Sequence, residues 1–178
     1  MKLYNKSNTH SNLPALRTEA LALTYYDRES HPETKDDLVW ASPTAYQGTA
    51  SLTPSSGEIK EAIDEVISLT EAQGITVTNH IAYCQYYKQS STEPGVHYDR
   101  STGFEPDFRP SHVGILWLCP TNNIIEFYWE AESAVDEEVT LTENDFILLN
   151  HVMAHRIKPA TFGTDETDSG LMLAVFMN

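Results

Sequence analysis

The sequence is poor in basic residues and in cysteine. Lys and Arg total 11 against 26 Asp and Glu, which gives a formal net charge of −15 at pH 7. Such a chain repels phosphate backbones, so we expect no nucleic-acid partner. The two cysteines, Cys84 and Cys119, form no CxxC pattern. We therefore expect no disulfide framework and thiols that stay reduced inside the cell.

Long apolar runs are also missing. No stretch approaches the roughly 18 apolar residues of a membrane span, and the N-terminus lacks the apolar run of a signal peptide. Hydrophobic residues nevertheless make up 40% of the 178-residue chain, enough for one domain with a real core. The expectation is a soluble, cytoplasmic, single-domain protein with no membrane partner.

The first third of the chain carries helical patterns. A helix is predicted to start near Asn12, and residues 27–56 are polar and predict a long surface connection. Ser55-x-x-Glu58 resembles a capping box, and the apolar residues behind it repeat at helical spacing as far as Gly74. We expect this second helix to be the most regular one.

After the second helix the pattern changes to that of strands. Segments rich in β-branched and aromatic residues alternate with turn signals. The strand candidates are residues 75–88, 112–119, 124–130, 137–141, 145–150, 153–159 and 171–177. One or two helices followed by about seven short strands predict an α+β, mainly β chain built on a β-sandwich or jelly roll.

The residues with the clearest chemistry are His97-Tyr98-Asp99 and the distant His155. Residues i and i+2 of an extended segment point to the same side, so His97 and Asp99 can converge on one ion. Two imidazoles and one carboxylate are the facial set that holds non-haem Fe(II) and leaves coordination positions open. The third ligand must then come from a strand that folding brings alongside.

A competing metal pattern involves His151 and His155. Their i,i+4 spacing would place both imidazoles on one side of a helix, as in the HExxH zinc motif. The glutamate of that motif is absent, and the flanking segments have strand patterns. Cys84 lies among tyrosines on a predicted strand, which favours a small core residue over a nucleophile.

These residues resemble a known family. Tyr87 followed by Gly95–Asp99, and Asn144–Asn150 followed by His155 and Pro159, are similar to motifs of the Fe(II)/2-oxoglutarate-dependent oxygenases, most of all their prolyl-hydroxylase-like branch. The resemblance covers roughly residues 57–178. It implies a double-stranded β-helix (jelly roll) with N-terminal helices packed on one sheet, in a single domain 1–178. Residues 1–56 would form an N-terminal helix and surface connection, and 57–178 the helix and the core.

The resemblance also implies an activity. His97, Asp99 and His155 would be the catalytic metal ligands, and Tyr87 would lie near the carboxylate of 2-oxoglutarate. The chain would use Fe(II), 2-oxoglutarate and O2 to hydroxylate a small molecule or a side chain of a peptide or protein. We expect the loops 27–56 and 100–111 to form the rim of the substrate site, and their acidity favours a neutral or cationic substrate over an anionic one.

One position departs from the family. Its members usually carry Arg or Lys about ten residues after the distal histidine, to pair with the far carboxylate of 2-oxoglutarate, but no basic residue follows Lys158 here. Alternation turns Arg156 and Lys158 away from a metal that His155 faces. Arg109, just before the strand 112–119, could grip the carboxylate instead, as could Lys88.

Two further classes stay open. A cupin-like metalloenzyme could use the same three ligands without 2-oxoglutarate, and the missing basic residue favours it. A binding or structural jelly roll could retain the motif without activity. Metal content separates the last class from the other two, and succinate formation from 2-oxoglutarate separates the oxygenase from the cupin-like enzyme.

Overall fold

A computed structural model of the chain describes residues 4–23, 48–52, 54–87, 96, 98, 108–120, 123–130, 134–158 and 170–178. These residues form two helices and nine strands. The helices are α1 (Leu13–Leu21) and α2 (Glu58–Glu71). The strands are β1 (Tyr4–Lys6), β2 (Gly48–Leu52), β3 (His80–Tyr87), β4 (His112–Trp117), β5 (Asn123–Tyr128), β6 (Val135–Leu141), β7 (Phe146–Asn150), β8 (Ala154–Ile157) and β9 (Gly170–Met177). Neither helix is long and apolar enough to cross a membrane.

The strands form two antiparallel sheets. The major sheet has the order β1-β7-β4-β9-β3-β2, and the minor sheet has the order β6-β5-β8. Apolar residues of both sheets share one buried cluster, so the sheets pack face to face. This arrangement is a double-stranded β-helix, or jelly roll, and confirms the predicted fold class.

The helices cover the outer face of the major sheet. Leu16 of α1 and Ile63 and Val66 of α2 pack on a buried layer that includes Leu116 and Val175. The approach of α2 is close, because a Cβ added to Gly114 in β4 would lie 2.5 Å from Val66 Cγ1. The predicted packing of N-terminal helices on one sheet is therefore confirmed.

The space between the sheets is filled by the alternate residues of each strand. Val113, Ile115 and Trp117 face inward from β4, while Ile125 and Phe127 face them from β5. Both faces of β4 are buried. The pleat points successive side chains to opposite faces, so Val113, Ile115 and Trp117 lie between the sheets while Leu116 lies beneath the helices. This inward face of the minor sheet carries the candidate site described below.

Three sequence predictions about the N-terminal part were wrong. Residues 48–52, which we expected to lie within a surface connection, form the edge strand β2 against β3. The capping box at Ser55 is absent: Gly57 is the N-cap of α2, and the backbone N–H of Glu58 donates to Glu19 Oε2 at 2.7 Å. β3 begins at His80, so residues 75–79 are not part of it. In the first two cases the structure is determined by contacts with residues distant in the sequence, β3 and Glu19, and not by the local sequence pattern.

The segment before α1 is fixed by a buried histidine. His10 places one ring nitrogen 3.0 Å from Glu58 Oε2 and the other 3.1 Å from Glu65 Oε2. Its backbone N–H and C=O both bond to the side-chain amide of Asn144, each at 2.8 Å. Asn144 adopts a left-handed conformation (φ 67°), which asparagine tolerates in turns. Together these contacts hold the N-terminal segment against both α2 and the turn before β7.

Candidate metal and cosubstrate site

His155 lies in β8 and faces the space between the two sheets. It is only 3% exposed and stands opposite Phe127 of β5, whose side chain belongs to the inter-sheet core. Ile157, two residues further along β8, belongs to the same core. Since residues i and i+2 share a face, His155 points inward with them.

The imidazole of His155 is oriented by its own hairpin. Its Nδ1 lies 3.1 Å from the carbonyl oxygen of Met153. A carbonyl can only accept, so Nδ1 carries the proton and Nε2 keeps its lone pair in the neutral ring. Histidines that bind metals usually donate their other ring N–H in this way, often to a backbone carbonyl. The arrangement suits a metal ligand that binds through Nε2.

The opposite face of the minor sheet carries a charged cluster. Glu126 is buried; Arg156 Nε donates to its Oε2, Tyr128 donates a hydrogen bond of 2.7 Å, and Lys158 Nζ lies 3.0 Å from Oε1. Burial alone would raise the pKa of Glu126, but the hydrogen bonds from Arg156, Tyr128 and Lys158 outweigh it and hold that pKa at about 2. Arg156 and Lys158 thus face away from His155, as strand alternation predicted.

Two of the three predicted ligands lie outside the described residues. His97 and Asp99 are in this group, while Val96 and Tyr98 beside them are described and half-buried. Tyr87 is the last residue of β3, paired with Gly170 of β9. The convergence of His97 and Asp99 with His155 therefore stays a prediction of the sequence.

Arg109 lies directly before β4 and its side chain is exposed. Its Nη1 lies 3.4 Å from the carbonyl oxygen of the preceding Phe108, a buried residue of the inter-sheet core. A contact with 2-oxoglutarate would require this guanidinium to leave the solvent. Its role as a cosubstrate anchor stays a prediction, and Lys88 lies outside the described residues.

His151 is not on a helix. It lies in the turn between β7 and β8, with Nδ1 3.0 Å from the carbonyl oxygen of Ser111. The helical two-histidine zinc site therefore does not form. The nearby His112 has its pKa lowered, first by burial and then by the charge of His151. Among the described residues, no cluster of three or more His, Cys, Asp or Glu could hold a metal by itself.

Some residues of the inward faces of the two sheets had no motif to identify them. Gln85 is buried in β3 two residues after Tyr83, a residue of the inter-sheet core, so it shares the inward face. Phe127 has its ring centroid 6.3 Å from that of His155. Strand alternation, counted from an inward residue, could have placed both on this face. Cys84 is buried in the cluster beneath the helices, as predicted.

Comparison with known proteins finds similar folds among solved structures but no match by sequence. No family model matches the chain, and no curated protein matches it. Among solved structures, a prolyl-4-hydroxylase of Pseudomonas putida is similar with a TM-score of 0.61 and 12% identity, over 99% of this chain and 91% of that one. HygX of Streptomyces hygroscopicus, solved with nickel and 2-oxoglutarate bound, has a TM-score of 0.62 at 10% identity, over 97% and 81%. A prolyl 4-hydroxylase of Phytophthora capsici has a TM-score of 0.60 at 11% identity, over 99% and 58%.

These likenesses define the class of fold to which the chain belongs. It is the double-stranded β-helix with helices on the major sheet, as in prolyl 4-hydroxylases and HygX. Identities of 10–12% carry no statement about the reaction. The activity must therefore be argued from the residues of the site.

Proposed function

We propose that this protein is a non-haem Fe(II)-dependent oxygenase that hydroxylates its substrate with 2-oxoglutarate and O2. His97, Asp99 and His155 would hold the metal, and Tyr87 and Arg109 would contact the cosubstrate. The observation that carries the proposal is the buried, inward His155, whose Nδ1 is occupied by the Met153 carbonyl. Support also comes from the fold, which is similar to that of HygX, solved with nickel and 2-oxoglutarate bound.

The metal and the residues of the site would have different roles in the reaction. The metal, when bound, would supply the chemistry of O2 activation. The chain would supply a preset Nε2 at His155, a carboxylate at Asp99 and a second imidazole at His97. Phe127 and the inter-sheet core beside His155 would keep water away from the reacting atoms.

The decisive experiment measures metal and cosubstrate binding in turn. Protein freed of metal by chelation is titrated with Mn(II), a redox-stable substitute for Fe(II), by anaerobic calorimetry. We expect one ion per chain for the wild type and no stoichiometric binding for His97→Ala, Asp99→Ala or His155→Ala. Succinate formation from 2-oxoglutarate with Fe(II) and O2 then tests the reaction class.

Circular dichroism and thermal unfolding of each variant separate a lost ligand from a lost fold. This control matters most for His155, because its side chain is buried and its removal leaves a cavity. Undiminished Mn(II) affinity in folded His97→Ala and Asp99→Ala proteins would refute the triad.

A cupin-like metalloenzyme that uses the same ligands without 2-oxoglutarate is the second candidate. The specific observation in its favour is that Arg156 and Lys158 are both ion-paired with Glu126. Since no other basic residue follows His155, none remains to pair with the far carboxylate of 2-oxoglutarate. It predicts stoichiometric metal binding together with no 2-oxoglutarate binding to the metal-loaded protein. No metal binding at all would favour the non-catalytic jelly roll.

A further inference from the structure

A groove opens at the end of the minor sheet beside His155. It has a volume of about 520 Å³ and lies where β5 ends and where β6 and β8 begin. Its lining includes Phe127, Trp129, Asp136, Glu137, Val152 and Met153. Phe127 and Met153 both contact the imidazole of His155, so the groove lies beside the candidate metal ligand.

One wall of the groove is apolar and open to solvent. Trp129 is 77% exposed and Val152 is 48% exposed, and Val135 is the one other large apolar side chain that is exposed in the described part of the chain. Exposed apolar groups that gather in one place usually mark a ligand or partner site. An exposed tryptophan also offers the face of its ring to a cation.

The other wall is acidic. Glu137 stands opposite Phe127, and Phe127 stands opposite His155, so the three residues form one row across the inward face of the minor sheet. In the described part of the chain, Asp136 and Glu137 take part in no ion pair, whereas Arg156 and Lys158 bind Glu126 and Glu138 on the opposite face. The groove therefore presents uncompensated negative charge in a chain of net charge −15.

We propose that this groove binds the substrate, and that the substrate carries a protonated amine or guanidinium next to an apolar segment. The proposal rests on the proposed function, since a metal at His155 is what makes the groove a substrate site. Glu137 would form a charge-assisted hydrogen bond with the cation, while Trp129 would cover the apolar segment. Two strand spacings, about 10 Å, separate the backbones of Glu137 and His155. That span suits a side chain like lysine or arginine, or an amine-bearing small molecule of similar length.

The test follows ligand binding by NMR on the full-length, metal-free protein at low ionic strength. The chain has three tryptophans, and Trp129→Phe assigns the indole N–H signal of Trp129. The probes are a capped tripeptide with a central lysine, the same peptide acetylated on Nε, and free pentane-1,5-diamine. We expect Trp129 to shift with the charged probes and the acetylated peptide to bind about tenfold more weakly or worse. Tighter binding of the peptide or of the diamine tells which of the two sources the groove prefers.

Glu137→Gln should remove most of the preference for the charged probes. Its matched control is Glu138→Gln, which makes the same change one residue away on the opposite face and should keep the preference. Equal binding of charged and acetylated peptide, an equal effect of the two variants, or no shift of Trp129 would each overturn the proposal. Mn(II) titration of the same samples tests the metal site separately, so failure of the groove and failure of the proposed function can be told apart.

Discussion

Glu126 and Arg156 stand directly opposite each other on β5 and β8, and their side chains are ion-paired on the face turned away from His155. The pair thus lies behind the candidate ligand. Because a slip of one residue would exchange the two faces of β8, a buried pair at this position favours the register in which His155 points inward.

The first prediction concerns the pH dependence of stability. The pKa of Glu126 is held at about 2 in the folded protein, below its ordinary value of 4.5. Its ionised form therefore stabilises the fold above about pH 4.5, and this contribution is lost as the pH falls toward 2. Glu126→Gln should lower the free energy of unfolding by roughly 3 kcal/mol at pH 7 and by much less near pH 2.5, in denaturant titrations.

Glu138→Gln is the control for that measurement. Glu138 pairs with Lys158 on the same face but is exposed, so its loss should cost less than about 1 kcal/mol. A Glu126→Gln effect that did not shrink on acidification would contradict the assignment of a lowered pKa to this carboxylate.

The second prediction separates the two histidines of the β7–β8 hairpin. His155→Ala should abolish stoichiometric Mn(II) binding, because it removes the inward-facing imidazole whose Nδ1 donates to the Met153 carbonyl and whose Nε2 would bind the metal. His151→Ala should leave Mn(II) affinity unchanged, because His151 lies in the turn and contacts the Ser111 carbonyl. Calorimetry of both variants decides, and the reverse pattern would favour a site built around His151.

The third prediction concerns the cosubstrate. Arg109→Ala should raise the KM for 2-oxoglutarate about ten- to hundredfold, while metal affinity stays the same. This change corresponds to the loss of a charge-assisted contact, which contributes about 1.5–3 kcal/mol. Arg156→Ala should change this KM less, because its guanidinium binds Glu126. A complex in which 2-oxoglutarate lies far from Arg109 would refute the assignment, and failure to bind the cosubstrate at all would favour the cupin-like enzyme.

The fourth prediction concerns the start of α2. Gly57 has φ 97° and ψ 179°, a region that side chains rarely enter, and an added Cβ would lie 2.7 Å from Glu19 Oε1. Gly57→Ala should lower the free energy of unfolding by about 2–3 kcal/mol, from backbone strain and the loss of the cap. The loss should be smaller in a Glu19→Ala background, where the contact no longer exists.

Gly74→Ala gives a comparison at a second glycine of positive φ, where an added Cβ has open space. Gly74 also has positive φ, 81°, but an added Cβ would meet nothing within 4 Å. We expect a loss of about 1 kcal/mol. A Gly57→Ala loss of the same size in the wild-type and Glu19→Ala backgrounds would show that the Glu19 contact contributes nothing.

The fifth prediction tests the closeness of α2 to the major sheet. Gly114→Ala would place a methyl group 2.5 Å from Val66 Cγ1, and such overpacking should cost about 1–3 kcal/mol. Val66→Ala alone should cost a similar amount by leaving a cavity. The double variant should be more stable than the sum of the two losses allows, which a double-mutant cycle by denaturant titration measures.

The sequence predicted the elements whose signal is local. The spacing of Ile59, Ile63 and Val66 located α2, and β-branched runs located the seven strands from β3 to β9. Alternation also gave the opposite directions of His155 and Arg156. α2 is buried on one face, so its apolar residues repeat at helical spacing. The strands β4, β7 and β9 are buried on both faces, so they stand out as continuous apolar runs.

What could not be predicted depends on residues far apart in the chain. β2 lies in a polar segment and is a strand because β3 offers an open edge. The cap of α2 comes from Glu19, 39 residues before Glu58, so the nearby Ser55 misled the prediction. The groove beside His155 combines β5, β6 and the β7–β8 turn, and no single stretch of sequence contains it.

The position of β9 has a consequence for how the molecule is made. β9 lies at the centre of the major sheet, pairs with β3 and β4 along its length, and follows all the other described strands in the chain. During synthesis, the two parts of the sheet on either side of β9, β1-β7-β4 and β3-β2, are therefore made before the strand that joins them. Pairing such as His80 with Met177 closes a very long loop, which slows folding. We expect the nascent chain to need protection of its open strand edges until β9 emerges.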